Sequence, residues 1–275
     1  MSRSALEAYS NGGAWWETSI SQINKNEIII RGERVEDLIG NVSYTQMLFF
    51  LLCGKHLTEV QANLFESVLV AGADHGPRAP SIAAARMAAT CGVSFNSAVA
   101  TGMNMLGDVH GGAVEEAMSI LYETKENLVN NENAIDEKLT EIFSRKGKLP
   151  GFGHQLHDND PRVSRLYTLS EQLISSGEIS GSYLEILANY RDRLSERKGR
   201  NMTINVDGIS AAIQCELEIP AEAAKGIFAL SRGWGSVAHA YEELMSGVRI
   251  KGPCPNEEHL VRYTGVQKQN GGERS

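Results

Sequence analysis

Residues 150–162 read PGFGHQLHDNDPR, a stretch that holds two histidines, two aspartates and an arginine. Its glycines, asparagine and prolines are typical of a loop, and helical sequence resumes at Pro161, where proline suits a first helical turn. Arg162 follows in that first turn, a position from which a guanidinium can bind both oxygens of a carboxylate. A metal site, an anion-binding catalytic loop and a polar surface turn are all open from this stretch alone.

The metal interpretation requires His154, His157 and Asp158 or Asp160 to converge on one ion. Two histidines three residues apart share a face only in a helix, and the turn-forming residues around them disfavour one. We therefore expect no metal site here.

Net charge, the length of the apolar runs and the cysteine spacing exclude several classes of protein. The 275-residue chain has a net charge of −8, which disfavours nucleic acid and acidic membrane surfaces as partners. The longest apolar run, residues 47–53, is too short to span a bilayer, and the N-terminus lacks the apolar core of a signal peptide. The four cysteines form no Cys-x-x-Cys pair, so we expect reduced thiols and a cytoplasmic protein.

Around this loop the pattern is helical almost throughout, which predicts an all-α fold. Residues 18–33 are the exception and predict two short strands around a turn at Lys25 and Asn26. Ser43 caps a predicted helix that stops at Gly54. Further helices are predicted over 58–73, 81–91, 96–106, 111–126, 134–146, 161–175, 181–196, 208–218, 221–231 and 235–246.

The chain also shows two candidate crossing points between lobes. Glycine and proline punctuate residues 147–153, and residues 191–200 are strongly basic. We predict a large helical domain made of residues 1–150 and 206–275, with a smaller helical domain, 151–205, inserted into it.

Other polar clusters accompany the loop. His110 precedes two glycines that open a helix, where free backbone N–H groups can bind an anion. Asp207 ends a short β-rich run, as either a helix N-cap or a general acid–base. His75 lies in ADHGPRAPS, either a surface loop or part of a site, and Arg232 lies at the predicted junction of two helices. Together these residue types suit acid–base chemistry on a carboxylate-bearing substrate.

Taken in order, five segments resemble the catalytic segments of the citrate synthase superfamily, over residues 18–265. They contain His110, Gly-Phe-Gly-His154, Asp160-Pro161-Arg162, Asn205-Val206-Asp207 and SRGWGSVAHAYEE at 231–243. Within the superfamily the likeness is greater to citryl-CoA lyases, including the C-terminal portion of ATP-citrate lyase, through residues 18–43, ADHGP and INVDG. The resemblance implies a citrate-synthase-like fold, at least a homodimer, with the active site in a cleft between the domains.

The resemblance also implies roles for individual residues. Asp207 would exchange a proton with the acetyl carbon, His110 would stabilise the thioester enolate, and His154 would hold the hydroxyl or carbonyl of the oxaloacetate half. The residues implied to bind substrate carboxylates are His75, Arg162 and Arg232.

One segment departs from the family pattern. The family usually carries a further substrate arginine, contributed by the partner subunit, in an Arg-Pro segment near the C-terminus. Here the stretch reads RIKGPCP, so either Arg249 or Lys251 is predicted to substitute, or the terminal carboxylate is recognised in a different way. The resemblance gives His157 no role.

Coenzyme A is expected as part of the substrate, with no permanently bound cofactor and no metal. Gly151, Phe152 and Gly153 are candidates to wrap its adenine, and Lys198 or Arg200 to meet its phosphates. The predicted reaction is cleavage of citryl-CoA, or a related 3-hydroxy-3-carboxyacyl-CoA, to acetyl-CoA and a 2-oxo acid. Two other functions stay open: a citrate or methylcitrate synthase, and a non-catalytic ligand-sensing protein or subunit.

Overall fold

The computed structural model describes residues 14–145, 147–153, 160–252, 254, 255 and 257–265. These residues form an all-α fold with one small sheet, which confirms the predicted fold class. The strands are β1 (Ser21–Asn24), β2 (Glu27–Ile30) and β3 (Glu33–Arg34). The helices are α1 (Val35–Leu38), α2 (Tyr44–Cys53), α3 (Glu59–Gly72), α4 (Pro80–Thr90), α5 (Phe95–Met103), α6 (Ala113–Leu128), α7 (Ala134–Ser144), α8 (Pro161–Ser175), α9 (Ser182–Lys198), α10 (Val206–Glu216) and α11 (Ala224–Met245).

The sheet is an antiparallel meander near the N-terminus. Strand β1 pairs with β2 from Ser21 opposite Ile30 to Asn24 opposite Glu27. Asn26 takes a left-handed backbone conformation in the connecting turn (φ +62°), which asparagine tolerates better than most residues. The two predicted strands are therefore confirmed. The third, β3, is only two residues long and was not predicted.

Local capping explains where the early helices start. The Ser43 hydroxyl accepts a hydrogen bond from the backbone N–H of Gln46, and the Gln46 side chain accepts one from the Ser43 N–H. Thr58 and Gln61 form the same reciprocal pair at α3. Each box satisfies two N–H groups that the first turn would otherwise leave unpaired. Helix α2 ends where predicted, with Gly54 left-handed (φ +68°).

Helix α10 forms the centre of the hydrophobic core. Its residues 208–215 are all buried, and it packs against α3, α6, α8 and α9. Small side chains such as Ala211 and Ala212 let neighbouring helices approach closely on every side. The N-terminal end of α10, which bears Asp207, is thereby fixed by the core.

The chain divides into two compact units. The first contains residues 1–74 and 106–232, and the second contains 75–105 and 233–275. These units do not follow the domain boundaries that we predicted from sequence, and those boundaries stay a prediction. None of the helices in the described ranges combines the length and apolarity needed to cross a bilayer.

The second unit has a core of small residues. Its buried cluster consists of four alanines: Ala85, Ala89, Ala98 and Ala240. Helices α4 and α5 pack closely, since a Cβ added to Gly102 would lie 2.7 Å from the carbonyl oxygen of Ser81. Four side chains of this size contribute little buried apolar area to that cluster.

Helix α11 corrects one prediction. Residues 221–231 and 235–246 were expected to form two helices with Arg232 at their junction, but one helix runs from Ala224 to Met245. Gly233 and Gly235 both lie inside this helix and do not interrupt it. A glycine inside a helix costs only about 1 kcal/mol relative to alanine, which favourable packing overrides. Arg232 accordingly projects from the middle of a continuous helix.

Candidate active site

Asp207 lies in the first turn of α10, but it is not the residue that caps the helix. The side-chain oxygen of Asn205 accepts hydrogen bonds from the backbone N–H groups of Asp207 (3.0 Å) and Gly208 (3.1 Å). Asn205 is therefore the N-cap. The structural role that sequence alone left open for Asp207 is already filled, which favours acid–base chemistry for its half-buried carboxylate.

Gly151, Phe152 and Gly153 form a backbone clip with residues 203–205. Gly153 N–H donates to the Thr203 carbonyl (2.8 Å), and Asn205 N–H donates to the Gly151 carbonyl (2.9 Å). The Asn205 amide also donates to the Gly153 carbonyl (2.9 Å). These hydrogen bonds hold the segment that leads to His154 beside the start of α10. His154 and His157 themselves lie outside the described residues.

Gly151 and Gly208 allow the backbone of the loop to approach the start of α10 directly. A Cβ added to Gly208 would lie 2.5 Å from the carbonyl oxygen of Gly151, and one added to Gly151 would lie 2.7 Å from the Cα of Gly208. Gly151 also has a positive φ of +87°. Direct backbone contact between the loop and α10 therefore requires glycine at both positions.

His110 lies in a tight loop between α5 and α6. The Gly107 N–H donates to the carbonyl of His110 (2.8 Å), and Gly111 takes a positive φ of +95°. A Cβ on Gly111 would lie 2.9 Å from the Phe228 ring. The His110 side chain is half-buried, and burial lowers its pKa, with the nearby charge of Arg232 adding to the effect.

Arg232 is a buried cation, only 4% exposed. Its Nε donates to the carbonyl of Gly72 (3.0 Å), and its guanidinium carbon lies 5.1 Å from the centre of the Phe228 ring. Burial lowers the Arg232 pKa, and the charge of Arg162 lowers it further, whereas Asp74 and Asp207 oppose that shift. These interactions place Arg162, Asp207, His110 and Arg232 in one electrostatic environment.

Arg162 is paired inside the protein. Its Nε and Nη2 donate to the two carboxylate oxygens of Asp160, at 2.9 and 2.7 Å. Its Nη1 donates to the carbonyl of Ala71 (3.2 Å). Consecutive carbonyls at the end of α3, Ala71 and Gly72, thus accept from Arg162 and Arg232 respectively. The partial negative charge at a helix C-terminus favours both cations there.

The two residues predicted to meet the phosphates of coenzyme A lie at the C-terminal end of α9. Lys198 ends α9 with its ammonium 4.8 Å from the centre of the Phe143 ring, and Arg200 is exposed just beyond it. The coenzyme A roles of these two residues and of Gly151, Phe152 and Gly153 stay predictions.

His75 and Arg249 belong to the second unit. Lys251, the other candidate near the C-terminus, is engaged by Glu243, a buried glutamate, at 3.2 Å. Arg249 is exposed and makes no hydrogen bond or ion pair within the described part of the chain. Arg249 is therefore the better placed of the two for an external carboxylate.

Several contributors were missed at the sequence level. Asp160 holds Arg162, Asn205 caps α10, and Phe228 contacts both Gly111 and Arg232. Asn205 carried a signal, since Asn-x-Asp-Gly before a helix is typical of an N-cap. Phe228 carried none, because its contacts come from distant segments.

No group of three or more metal-ligating side chains occurs among the residues that the structure describes. The metal interpretation rested mainly on His154 and His157, which are not among them.

We expect the charge of Arg232 to be visible in the titration of His110. In an Arg232→Gln variant the pKa of His110 should rise but stay below its ordinary value of 6.5, because burial, the larger cause, persists. The measurement is the NMR titration of the His110 ring protons, assigned with a His110→Gln variant. Arg193→Gln, at an exposed position, is the matched control, and an unchanged His110 titration in Arg232→Gln would contradict the arrangement.

The lowered pKa of His110 also makes the folding stability of the protein depend on pH. The pKa of His110 is lower in the folded protein than in the unfolded chain, so unfolding takes up a proton as the pH falls below about 6.5. The contribution of His110 to stability is therefore present above that pH and is lost as the pH falls through the folded-state pKa.

Comparison with known proteins locates this site within a known family. The family profile described as citrate synthase, C-terminal domain, matches residues 53–253. The citrate synthase of Haloferax volcanii is 28% identical over 238 residues, which cover 86% of this chain and 59% of that protein. The chain spans less than two thirds of the length of the curated relatives it matches.

Solved structures give a second comparison. Citryl-CoA lyase from Hydrogenobacter thermophilus is 34% identical with a TM-score of 0.83, covering 93% of this chain and 97% of that one. ATP citrate lyase from Methanothrix soehngenii shares the fold, with a TM-score of 0.79 and 21% identity, over 100% of this chain and 46% of that one. Both the family and the likeness to citryl-CoA lyase that we predicted from sequence are confirmed.

Proposed function

Because the chain belongs to the citrate synthase family, we propose that it cleaves citryl-CoA, or a related 3-hydroxy-3-carboxyacyl-CoA, to acetyl-CoA and oxaloacetate or a similar 2-oxo acid. The observation that carries this choice is the likeness to citryl-CoA lyase, which extends over 93% of this chain and 97% of that one. That lyase is 34% identical to this chain, whereas the citrate synthase of Haloferax volcanii is 28% identical.

The proposed chemistry is a reversed Claisen condensation. His154 accepts the proton of the substrate hydroxyl, which becomes the carbonyl of the 2-oxo acid as the carbon–carbon bond breaks. The electron pair of that bond passes into the thioester and forms the acetyl-CoA enolate. His110 donates a hydrogen bond to the enolate oxygen, and Asp207 gives its proton to the enolate carbon. Enolate stabilisation and proton transfer have to act together, because a thioester α-proton is a very weak acid.

The surroundings of His110 support this role. Its lowered pKa keeps the ring neutral at pH 7, and a neutral imidazole still has one N–H to donate. Asn205, and not Asp207, accepts the backbone N–H groups of Asp207 and Gly208 at the helix start, so the capping role does not fall to the Asp207 carboxylate. Arg232 and Arg162 supply the positive charge that the carboxylates of the oxaloacetate half need.

Coenzyme A enters the proposal as part of the substrate, with no permanently bound cofactor. Gly151, Phe152 and Gly153 are proposed to lie along the adenine, and Lys198 or Arg200 to meet the phosphates. The clip with residues 203–205 fixes the backbone of these glycines, which would preorganise such a surface. The four cysteines are free, which supports placing this activity in the reducing cytoplasm.

The experiment compares two assays on the purified chain. Acetyl-CoA formed from citryl-CoA without release of free thiol supports the lyase. Free coenzyme A released from acetyl-CoA plus oxaloacetate supports a synthase, the second candidate, which the sequence matches to citrate synthases favour. If neither reaction occurs with citryl-CoA or related 3-hydroxyacyl-CoA esters, the enzymatic proposal is wrong and a ligand-sensing role takes its place.

A homodimer is part of the proposal. Large apolar side chains recur at helical spacing along one exposed face of the second half of α11. These residues, the α11 stripe, are Trp234, Val237, Tyr241, Leu244 and Met245. The unit that bears the stripe has a buried cluster made only of alanines. A second copy presenting the same stripe about a two-fold axis would cover it and supply the missing apolar contacts.

The dimer is tested by changing the α11 stripe. Trp234→Glu combined with Tyr241→Glu should convert the dimer to a monomer in size-exclusion chromatography with light scattering, because two charges would be buried at the contact. Ile39→Glu, at an apolar residue that is 72% exposed in the other unit, is the control and should leave the dimer intact. A wild-type chain that is monomeric at micromolar concentration would refute the proposed dimer.

A further inference from the structure

Asp160 is a buried carboxylate that binds the guanidinium of Arg162. Its side chain is 2% exposed, whereas the paired Arg162 side chain is 21% exposed. One oxygen accepts from the Arg162 backbone N–H (3.0 Å) and from its Nε (2.9 Å), and the other accepts from Nη2 (2.7 Å). The aspartate thus caps α8 and binds the guanidinium along one edge at the same time.

A buried ion pair of this kind is weak evidence for stability. Removing two charges from water offsets much of their attraction, and well-packed apolar residues often stabilise a fold as well or better. The pair does, however, fix the orientation of a long side chain that would otherwise sample many rotamers. Its geometry therefore indicates a requirement for one particular guanidinium orientation.

The hydrogen bonds of the Arg162 guanidinium show which of its N–H groups can still donate to a ligand. A guanidinium has five N–H groups. Asp160 accepts from the one on Nε and from one on Nη2, and the Ala71 carbonyl accepts from one on Nη1. Within the described part of the chain, one N–H on each of the two terminal nitrogens then has no acceptor, and a pair of donors on the two terminal nitrogens can match the two oxygens of a carboxylate.

We propose that Asp160 is a positioning residue for Arg162: by holding the Nε edge of the guanidinium, it presents the remaining terminal N–H groups to a carboxylate of the oxaloacetate half of the substrate. This inference rests on the proposed function. Asp160 itself does not touch the substrate. It acts through Arg162, together with the end of α3.

The test measures substrate affinity in an Asp160→Asn variant. Asparagine keeps an N-cap oxygen and nearly the same volume but cannot accept from both Nε and Nη2. The KM for oxaloacetate in the condensation direction, and for citryl-CoA in cleavage, should rise about 10- to 100-fold, as expected for losing hydrogen bonds between charged groups. The KM for acetyl-CoA should not change, and kcat should change less than about threefold.

A purely structural role would give a different result. It would lower the melting temperature and the active fraction, so that kcat falls while both KM values stay the same. Asp160→Ser, which retains a good cap without the paired acceptors, should repeat the KM effect if the asparagine variant folds poorly. In combination with Arg162→Lys, the Asp160→Asn change should add little further loss, because both act through one guanidinium. Additive losses, or an unchanged KM for oxaloacetate, would overturn the inference.

Calorimetric binding of oxaloacetate separates this inference from the proposed reaction, because it needs no turnover. A wild-type chain that binds oxaloacetate but turns over neither substrate refutes the reaction alone, and Asp160 is then judged by the affinities. Equal affinities of wild type and Asp160→Asn refute the positioning role alone. No binding by the wild type refutes both.

Discussion

Replacement of Asp207 by asparagine is expected to lower the rate of the proposed citryl-CoA cleavage by about 10³-fold, the central value for loss of a positioned general acid–base. Asparagine cannot deliver a proton to the enolate carbon, yet it fits the space of the aspartate. The fold should persist, because Asn205 and not Asp207 accepts the N–H groups at the start of α10. The measurements are kcat for acetyl-CoA formation and the melting temperature of the variant.

The control makes the same chemical change at the protein surface. Asp192 pairs with Arg191 on the exposed side of α9, so Asp192→Asn should keep nearly full activity. If Asp207→Asn retains more than about a tenth of the wild-type kcat, Asp207 is not the proton donor.

A methyl group added at Gly208 should damage both stability and catalysis. In Gly208→Ala the new Cβ would lie 2.5 Å from the Gly151 carbonyl oxygen, so the loop or the helix has to move, at a cost of about 2 kcal/mol. The shift displaces the start of α10 together with Asp207, and a misplacement of about 1 Å lowers rates by roughly 10²-fold. Denaturant unfolding and kcat are the measurements.

Gly226 supplies the matched control for this change. It lies within α11, and a Cβ there meets no heavy atom within 4 Å. Gly226→Ala should therefore stabilise the protein by about 0.5–1 kcal/mol through helix propensity alone. Equal effects at the two glycines would show that the contact between Gly151 and Gly208 is not tight.

Sequence predicted best what depends on local interactions. The cap at Ser43, the stop at Gly54 and the turn at Asn26 involve residues within a few positions of one another, and all three are present. The prediction of two helices in place of α11 was wrong, because glycines within a helix cost little beside tertiary packing. Strand β3 was missed because two residues carry no periodicity.

In the candidate site too, sequence predicted the local features but not the contacts between distant segments. Its residue types were predicted from sequence, but the partners that orient them were not. The carbonyls of Ala71 and Gly72 hold Arg162 and Arg232 from about 90 and 160 residues away along the chain. Backbone carbonyls have no sequence signature, so such contacts can be found only once the helices are placed in space.

The clip between residues 151–153 and 203–205 has a further consequence for how this chain can change in evolution. Because Gly153 N and Thr203 O are 2.8 Å apart, the chain leaves the clip and returns to it at nearly the same point. A segment whose ends meet can be lengthened, shortened or exchanged while the residues outside it keep their positions. That freedom is limited here, because α8 and α9 lie between the two ends and pack against α10. Changes in residues 160–202 therefore have to preserve that packing, and Gly151, Asn205 and Gly208 have to stay for the clip to form.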